Sequence, residues 1–140
     1  MALAAAIYLY ALTPVDLVVM RHNVSRILAG DSAPSVQISV HPIDVEGLRE
    51  LRPLMDCSDE LVREGVKALL ARRESEMAAE DQRTANLYST WEDLTAVQFA
   101  NEALLHELNS DRDRFKPYGG DPTKRQGAWD RFRKYAYQWY

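Results

Sequence analysis

The sequence predicts an all-α fold: an irregular bundle of five or six helices with at most one short extended segment. Apolar residues recur at three- and four-residue spacing through most of the chain after residue 13, the pattern of one buried helix face. Helix-start signals introduce these stretches at Thr13-Pro14, Asp44, Ser58, Thr90 and Asp121-Pro122. Only Val36–Val40 alternates as a strand does, and a lone strand has no partner within the chain. No period of roughly 30–45 residues repeats, which argues against a solenoid.

The chain has 140 residues, 46% of them hydrophobic and 27% charged, a globular composition with chain enough for one modest core. The net charge of −4 disfavours a dedicated nucleic-acid binder. It is unevenly distributed: residues 111–134 carry eight basic against four acidic groups, so this segment is +4 and the rest −8. Cys57 is the single cysteine, which excludes an intrachain disulfide and a cysteine-based zinc site.

Two units are expected, an apolar N-terminal segment over 1–12 and a single helical domain over 13–140. Between Ala2 and Met20 the only charge is Asp16. No Lys or Arg precedes Arg21, which argues against a secretory signal peptide. Pro14 and Asp16 interrupt the stretch, leaving it short of the roughly 20 apolar residues a membrane helix needs. The expectation is the final turns of a membrane helix; the competing reading is a buried N-terminal helix.

Thr13 suits an N-cap, Pro14 the first helical position and Asp16 the positive end of the helix dipole, with Gly30 as the stop. Asp31–Pro42 reads as a linker containing the strand-like run. Asp44 caps a short helix with Leu48, Leu51, Leu54 and Met55 on one stripe, ended or kinked by Pro53. Ser58 opens the next helix, with Asp59 and Glu60 in its first turn and Leu61, Val62, Val66, Leu69 and Leu70 on its apolar face. Arg72–Gln82 continues it as a solvated extension with local charge pairs. Thr90 and Asp93 resemble a capping box for a helix over Trp91–Leu108. Asp111–Asp121 reads as a loop with Pro117 and Gly119-Gly120. Asp121-Pro122 starts the last helix, with Trp129, Phe132, Ala136 and Trp139 on one face.

Pro14-Val15-Asp16-Leu17-Val18-Val19-Met20-Arg21-His22-Asn23-Val24-Ser25-Arg26 resembles the segment after the last membrane helix in certain bacterial multi-pass membrane proteins, a domain-of-unknown-function family. In that family the chain leaves the bilayer through Asn-Pro-Asp, an apolar stretch, Arg-Tyr-Asn or Arg-Arg-Asn, and a further Arg. Asp16, Arg21, Asn23 and Arg26 carry the match; Thr13 and His22 depart from it. The helix start at Asp44-Val45-Glu46-Gly47-Leu48 and the Trp-rich tail from Trp129 to Tyr140 are similar to later parts of the family. The resemblance implies a membrane-linked helical domain and no known activity. Arg21 and Arg26 just past the apolar stretch fit a membrane-associated protein whose soluble part is cytoplasmic.

No constellation for catalysis stands out. His22, His41 and His106 lack ligand spacing, Cys57 has no local histidine, and Gly119-Gly120 lacks the Lys-Ser/Thr of a phosphate-binding loop. The expectation is a protein that is not an enzyme, with no catalytic, cofactor-binding or metal residues. The unusual composition is C-terminal. Trp129, Phe132, Tyr135, Tyr137, Trp139 and Tyr140 interleave with Arg131, Arg133 and Lys134. Docking on the core, contact with a protein partner or the chain's own membrane region, a membrane surface, and nucleic acid all suit this mixture. The candidate interaction residues are Arg131, Arg133, Tyr135, Trp139 and Tyr140. The expected function is a membrane-proximal helical interaction or structural domain, and the alternative is a basic-aromatic nucleic-acid-binding domain.

Overall fold

A computed structural model describes residues 15–85 and 96–140. The apolar segment over 1–12, the Thr13 cap and the Thr90–Asp93 capping box lie outside them. Every regular element among the described residues is helical, the all-α class the sequence predicts. None of the described helices is long and apolar enough to cross a membrane.

Helix α1 (Val15–Leu28) buries Met20, Asn23, Val24 and Ile27, one stripe at spacings of three, four and seven. It stops at Gly30, whose φ of 95° is the left-handed conformation that costs glycine least. The Gly30 N–H donates to the Ile27 carbonyl and the Asp31 N–H to that of Arg26, both at 3.0 Å, which satisfies carbonyls the helix end would otherwise leave unpaired.

The strand-like run is corrected to helix α2 (Ser35–Val40). Pro34 already has helical φ and ψ, and the N–H groups of Ser35 and Gln37 close turns onto Ser32 and Pro34 at 3.0 Å. A lone strand would leave its backbone groups unpaired, whereas a helical turn pairs them internally. Ser35, Val36, Ile38 and Ser39 are all buried, so the helix is covered on most sides and its apolar pattern does not report one face.

Asp44 caps α3 (Val45–Glu50), accepting the Gly47 N–H at 2.7 Å. Pro53 marks the change of winding into a 3-10 helix over Arg52–Asp56. The long helix α4 (Glu60–Ala85) then begins one residue later than expected. Asp59, not Ser58, is its cap, with Oδ1 accepting the N–H groups of Leu61 and Val62 at 3.0 and 3.2 Å. A carboxylate at this position answers both the free N–H groups and the helix dipole.

Helix α5 (Ala96–Ser110) buries Leu104 and Leu108. The predicted loop over Asp111–Asp121 is corrected to a 3-10 turn over Arg112–Arg114 and a short helix α6 (Lys116–Gly119). Phe115 and Tyr118, three residues apart, are both buried and pin this stretch to the core. Helix α7 (Pro122–Ala136) is capped by Asp121 and buries Ala128, Phe132 and Ala136 before a final 3-10 turn over Tyr137–Trp139. Its main partner is α4, its second α2. Gly65 permits that approach: a Cβ there would lie 2.3 Å from the Cβ of Phe132.

Candidate interaction surface

The end of α7 divides its aromatic residues by helical phase. Phe132 and Ala136 face α4 and are fully buried, which turns Arg131, Arg133 and Lys134 to solvent. Trp129 packs against Phe132 with ring centroids 5.4 Å apart. Beyond Ala136 the tighter 3-10 winding shifts the phase and brings three further rings to the surface. Tyr137 is exposed, Trp139 is 38% exposed and Tyr140 89%.

These rings are ordered by one another. Tyr135 and Trp139 meet edge to face at 4.8 Å and 84°, the arrangement that ring quadrupoles favour. Tyr137 and Tyr140 lie 6.0 Å apart, and the Arg133 guanidinium sits 5.9 Å over the Tyr137 ring. Of the predicted interaction residues, Arg131, Arg133, Trp139 and Tyr140 are exposed and share this end of the molecule. Tyr135 is half-buried instead, and its hydroxyl donates to Asp59 Oδ2 at 2.6 Å.

Asp59 is the anchor of this edge, and sequence reasoning gave it only a place in a first helical turn. Besides capping α4, it accepts on Oδ2 from Ser32 Oγ at 2.8 Å as well as from Tyr135. Burial pushes the Asp59 carboxyl up, but the hydrogen bonds from Tyr135, Ser32 and the two backbone N–H groups outweigh it and hold the group below its ordinary value. Burial and the same hydrogen bond raise the Tyr135 hydroxyl. A second tyrosine-carboxylate pair lies nearby in sequence, Tyr118 donating to Glu64 at 2.6 Å. Burial, then Glu64, pushes Tyr118 up to about 12.

The residues of the resemblance diverge. Asp16 lies on α1. Arg21 reaches Glu50 at the end of α3 through two bonds, 3.1 Å from Nε and 2.9 Å from Nη2. Arg26 closes locally on Asp31. Asn23 is 7% exposed, and its Nδ2 has no hydrogen-bond partner among the described residues. Arg21, Asn23 and Arg26 are therefore not brought into one site.

An ion-pair chain joins α3 and the following 3-10 helix to the end of α5. Arg49 and Arg52 both engage Glu107, and Arg52 Nε also donates to Asp111 at 2.6 Å. Arg114 continues the chain from Asp111 to Asp56. Arg21, Arg49, Arg52, Glu50 and Glu107 line a groove of about 410 Å³, and each is already matched to an opposite charge. No protein-family model, curated protein or solved structure matches this chain.

Proposed function

We propose that the chain is a non-catalytic helical interaction domain that works close to a membrane and docks a protein partner through the aromatic and basic end of α7. One observation carries the reading: Tyr137, Trp139 and Tyr140 stand exposed beside exposed Arg133 and Lys134, with Tyr137 and Tyr140 against each other and Trp139 against Tyr135. Exposed tyrosine, tryptophan and arginine are the residue types that dominate binding energy at protein interfaces. Rings already held by one another lose less freedom on binding than free ones. The local positive charge selects a partner segment rich in Asp or Glu.

Membrane proximity rests on the apolar residues 2–12 and on the exposed Val18, Val19 and Leu28 of α1 that follow them. The test has two arms. A photoreactive side chain at exposed Gln138, in the native host, should trap a discrete partner, and Trp139→Ala with Tyr140→Ala should abolish that product. Liposome co-sedimentation of residues 1–140 against 13–140 examines the membrane arm. Equal recovery of both in the supernatant sinks it.

A second reading is favoured by the same exposed Arg131, Arg133 and Lys134, which with the rings suit single-stranded nucleic acid. It requires affinity for a single-stranded oligonucleotide to fall steeply with salt.

A further inference from the structure

A groove of about 450 Å³ opens on the side of the molecule where α2, α3, α4 and α7 converge. Its volume is within the range of about 300–1,000 Å³ typical of small-molecule sites. Val40, Ile43 and Leu69 give it an apolar side over the buried Ile38 and Leu48, with Ser39, His41 and Pro42 also in the lining. Trp129 supplies a flat wall and is held in place by its contact with Phe132.

The rim is cationic. Arg72 and Arg73 both line the groove, and between them they share a single carboxylate, Glu76. Arg72 Nε donates to Glu76 Oε1 at 2.7 Å, while Arg73 Nη1 reaches Oε2 only at 3.5 Å. Burial pushes the Glu76 carboxyl up, but the hydrogen bond from Arg72 leads the effects that leave it lowered, so it is ionised at neutral pH. Two guanidinium groups against one carboxylate leave one positive charge. Arg73 Nε is buried with no hydrogen-bond partner among the described residues. A surplus positive charge, shared by two arginines that both engage Glu76, at the rim of an apolar trough is complementary to a single anionic head on an apolar body.

We infer that this groove binds a small amphipathic monoanion, a carboxylate of the fatty-acid type, with its head between Arg72 and Arg73 and its chain along the apolar side against Trp129. The ligand competes with Glu76 for the same guanidinium groups. That competition gives the site a signature that a purely structural arginine pair lacks.

The probe is decanoate below its micelle-forming concentration, titrated into the full 140-residue chain by calorimetry. The expected result is binding with Kd below about 1 mM. Decanol, which lacks the charge, should bind about tenfold more weakly, as should decanoate to Arg72→Gln or Arg73→Gln, each having lost a charge-assisted hydrogen bond. Glu76→Gln should tighten decanoate binding severalfold by freeing both arginines. Val40→Trp, placed in the trough, should abolish binding; should that variant lose its helical circular dichroism, exposed Arg72→Gln decides the matter. Phosphatidylglycerol vesicles are the parallel arm. Equal affinity for decanol, unchanged affinity in Glu76→Gln, or binding to the vesicles with none to monomeric decanoate would each overturn the assignment.

Discussion

The hydroxyl of Tyr135 donates a 2.6 Å hydrogen bond to the carboxylate of Asp59, 76 positions earlier in the chain. One residue from the aromatic end of α7 is thereby fastened to the residue that caps α4. Tyr135→Phe removes the donor and leaves the carboxylate oxygen with Ser32 alone. The expected loss is about 1.5–3 kcal/mol, the range for hydrogen bonds to a charged group, measured as a lower urea midpoint at unchanged slope.

The same carboxylate sets an acid limit. Asp59 is held below its ordinary value of 3.8 in the folded chain, so as pH falls the unfolded chain takes up this proton first. Stability from Asp59 is therefore complete above the unfolded value and drains away as pH drops below about 4, through the folded value. Asp59→Asn should flatten this part of the stability profile below about pH 4 relative to wild type. A profile that retains its full slope in the variant would assign the acid loss to other carboxylates.

Tyr118 sets an alkaline counterpart. Its hydroxyl titrates at about 12, displaced from 10.0 by burial and by Glu64. The unfolded chain then loses this proton before the folded one, so the Tyr118 contribution falls as pH rises from about 10 to 12. The tyrosinate absorbance near 295 nm should show a late step that Tyr118→Phe removes.

Gly65→Ala pits two effects against each other. Alanine favours helix over glycine by about 1 kcal/mol. The new Cβ, however, would meet both Cβ and Cγ of Phe132 at 2.3 Å, and Phe132 is fully buried with nowhere to go. Forced overpacking of this kind costs about 1–3 kcal/mol and here acts on the principal helix pair, so the clash wins and the melting temperature falls. A neutral or raised melting temperature would show that α4 and α7 can separate without cost.

Among the ion pairs, Arg112–Glu74 should matter most per pair. Glu74 is buried on α4, and Arg112, from the turn after α5, is its cation. Arg112→Met strands a buried carboxylate, a change costing several kcal/mol where both partners are buried and less here because Arg112 is largely exposed. Arg72→Met breaks an exposed pair within one helix, worth about 0.3–0.5 kcal/mol. The order of the two urea midpoints checks the argument, with the Arg112 variant the less stable.

Much of the fold is legible in the residues, and the failures have physical causes. The spacing of Val62, Val66 and Leu70 marks the core face of α4, and Gly30 and Asp121 mark ends with their own backbone chemistry. Val36, Ile38 and Val40 alternate like a strand because α2 is buried on most of its surface, where periodicity loses its meaning. Phe115 and Tyr118 were obscured by the Pro and Gly around them, which signal turns whether or not the turn is helical. The C-terminal aromatics are visible as composition, but their division into buried Phe132 and exposed Tyr140 depends on the space Gly65 leaves for α7. The groove could not be read at all, since Ile38, Leu48, Leu69 and Trp129 come from four different helices.

The chain order of α4 and α7 has a bearing on synthesis. The apolar flank of α4 that receives Phe132 is complete once Ala85 is made, yet residues 86–121 must be added before α7 even begins. At roughly 5–20 residues per second, adding the 47 residues from 86 to Phe132 leaves that flank bare for about 2–9 s. A nascent chain stalled before Pro122 should accordingly be held by hydrophobic-sensing chaperones, and one extended past Ala136 should be released.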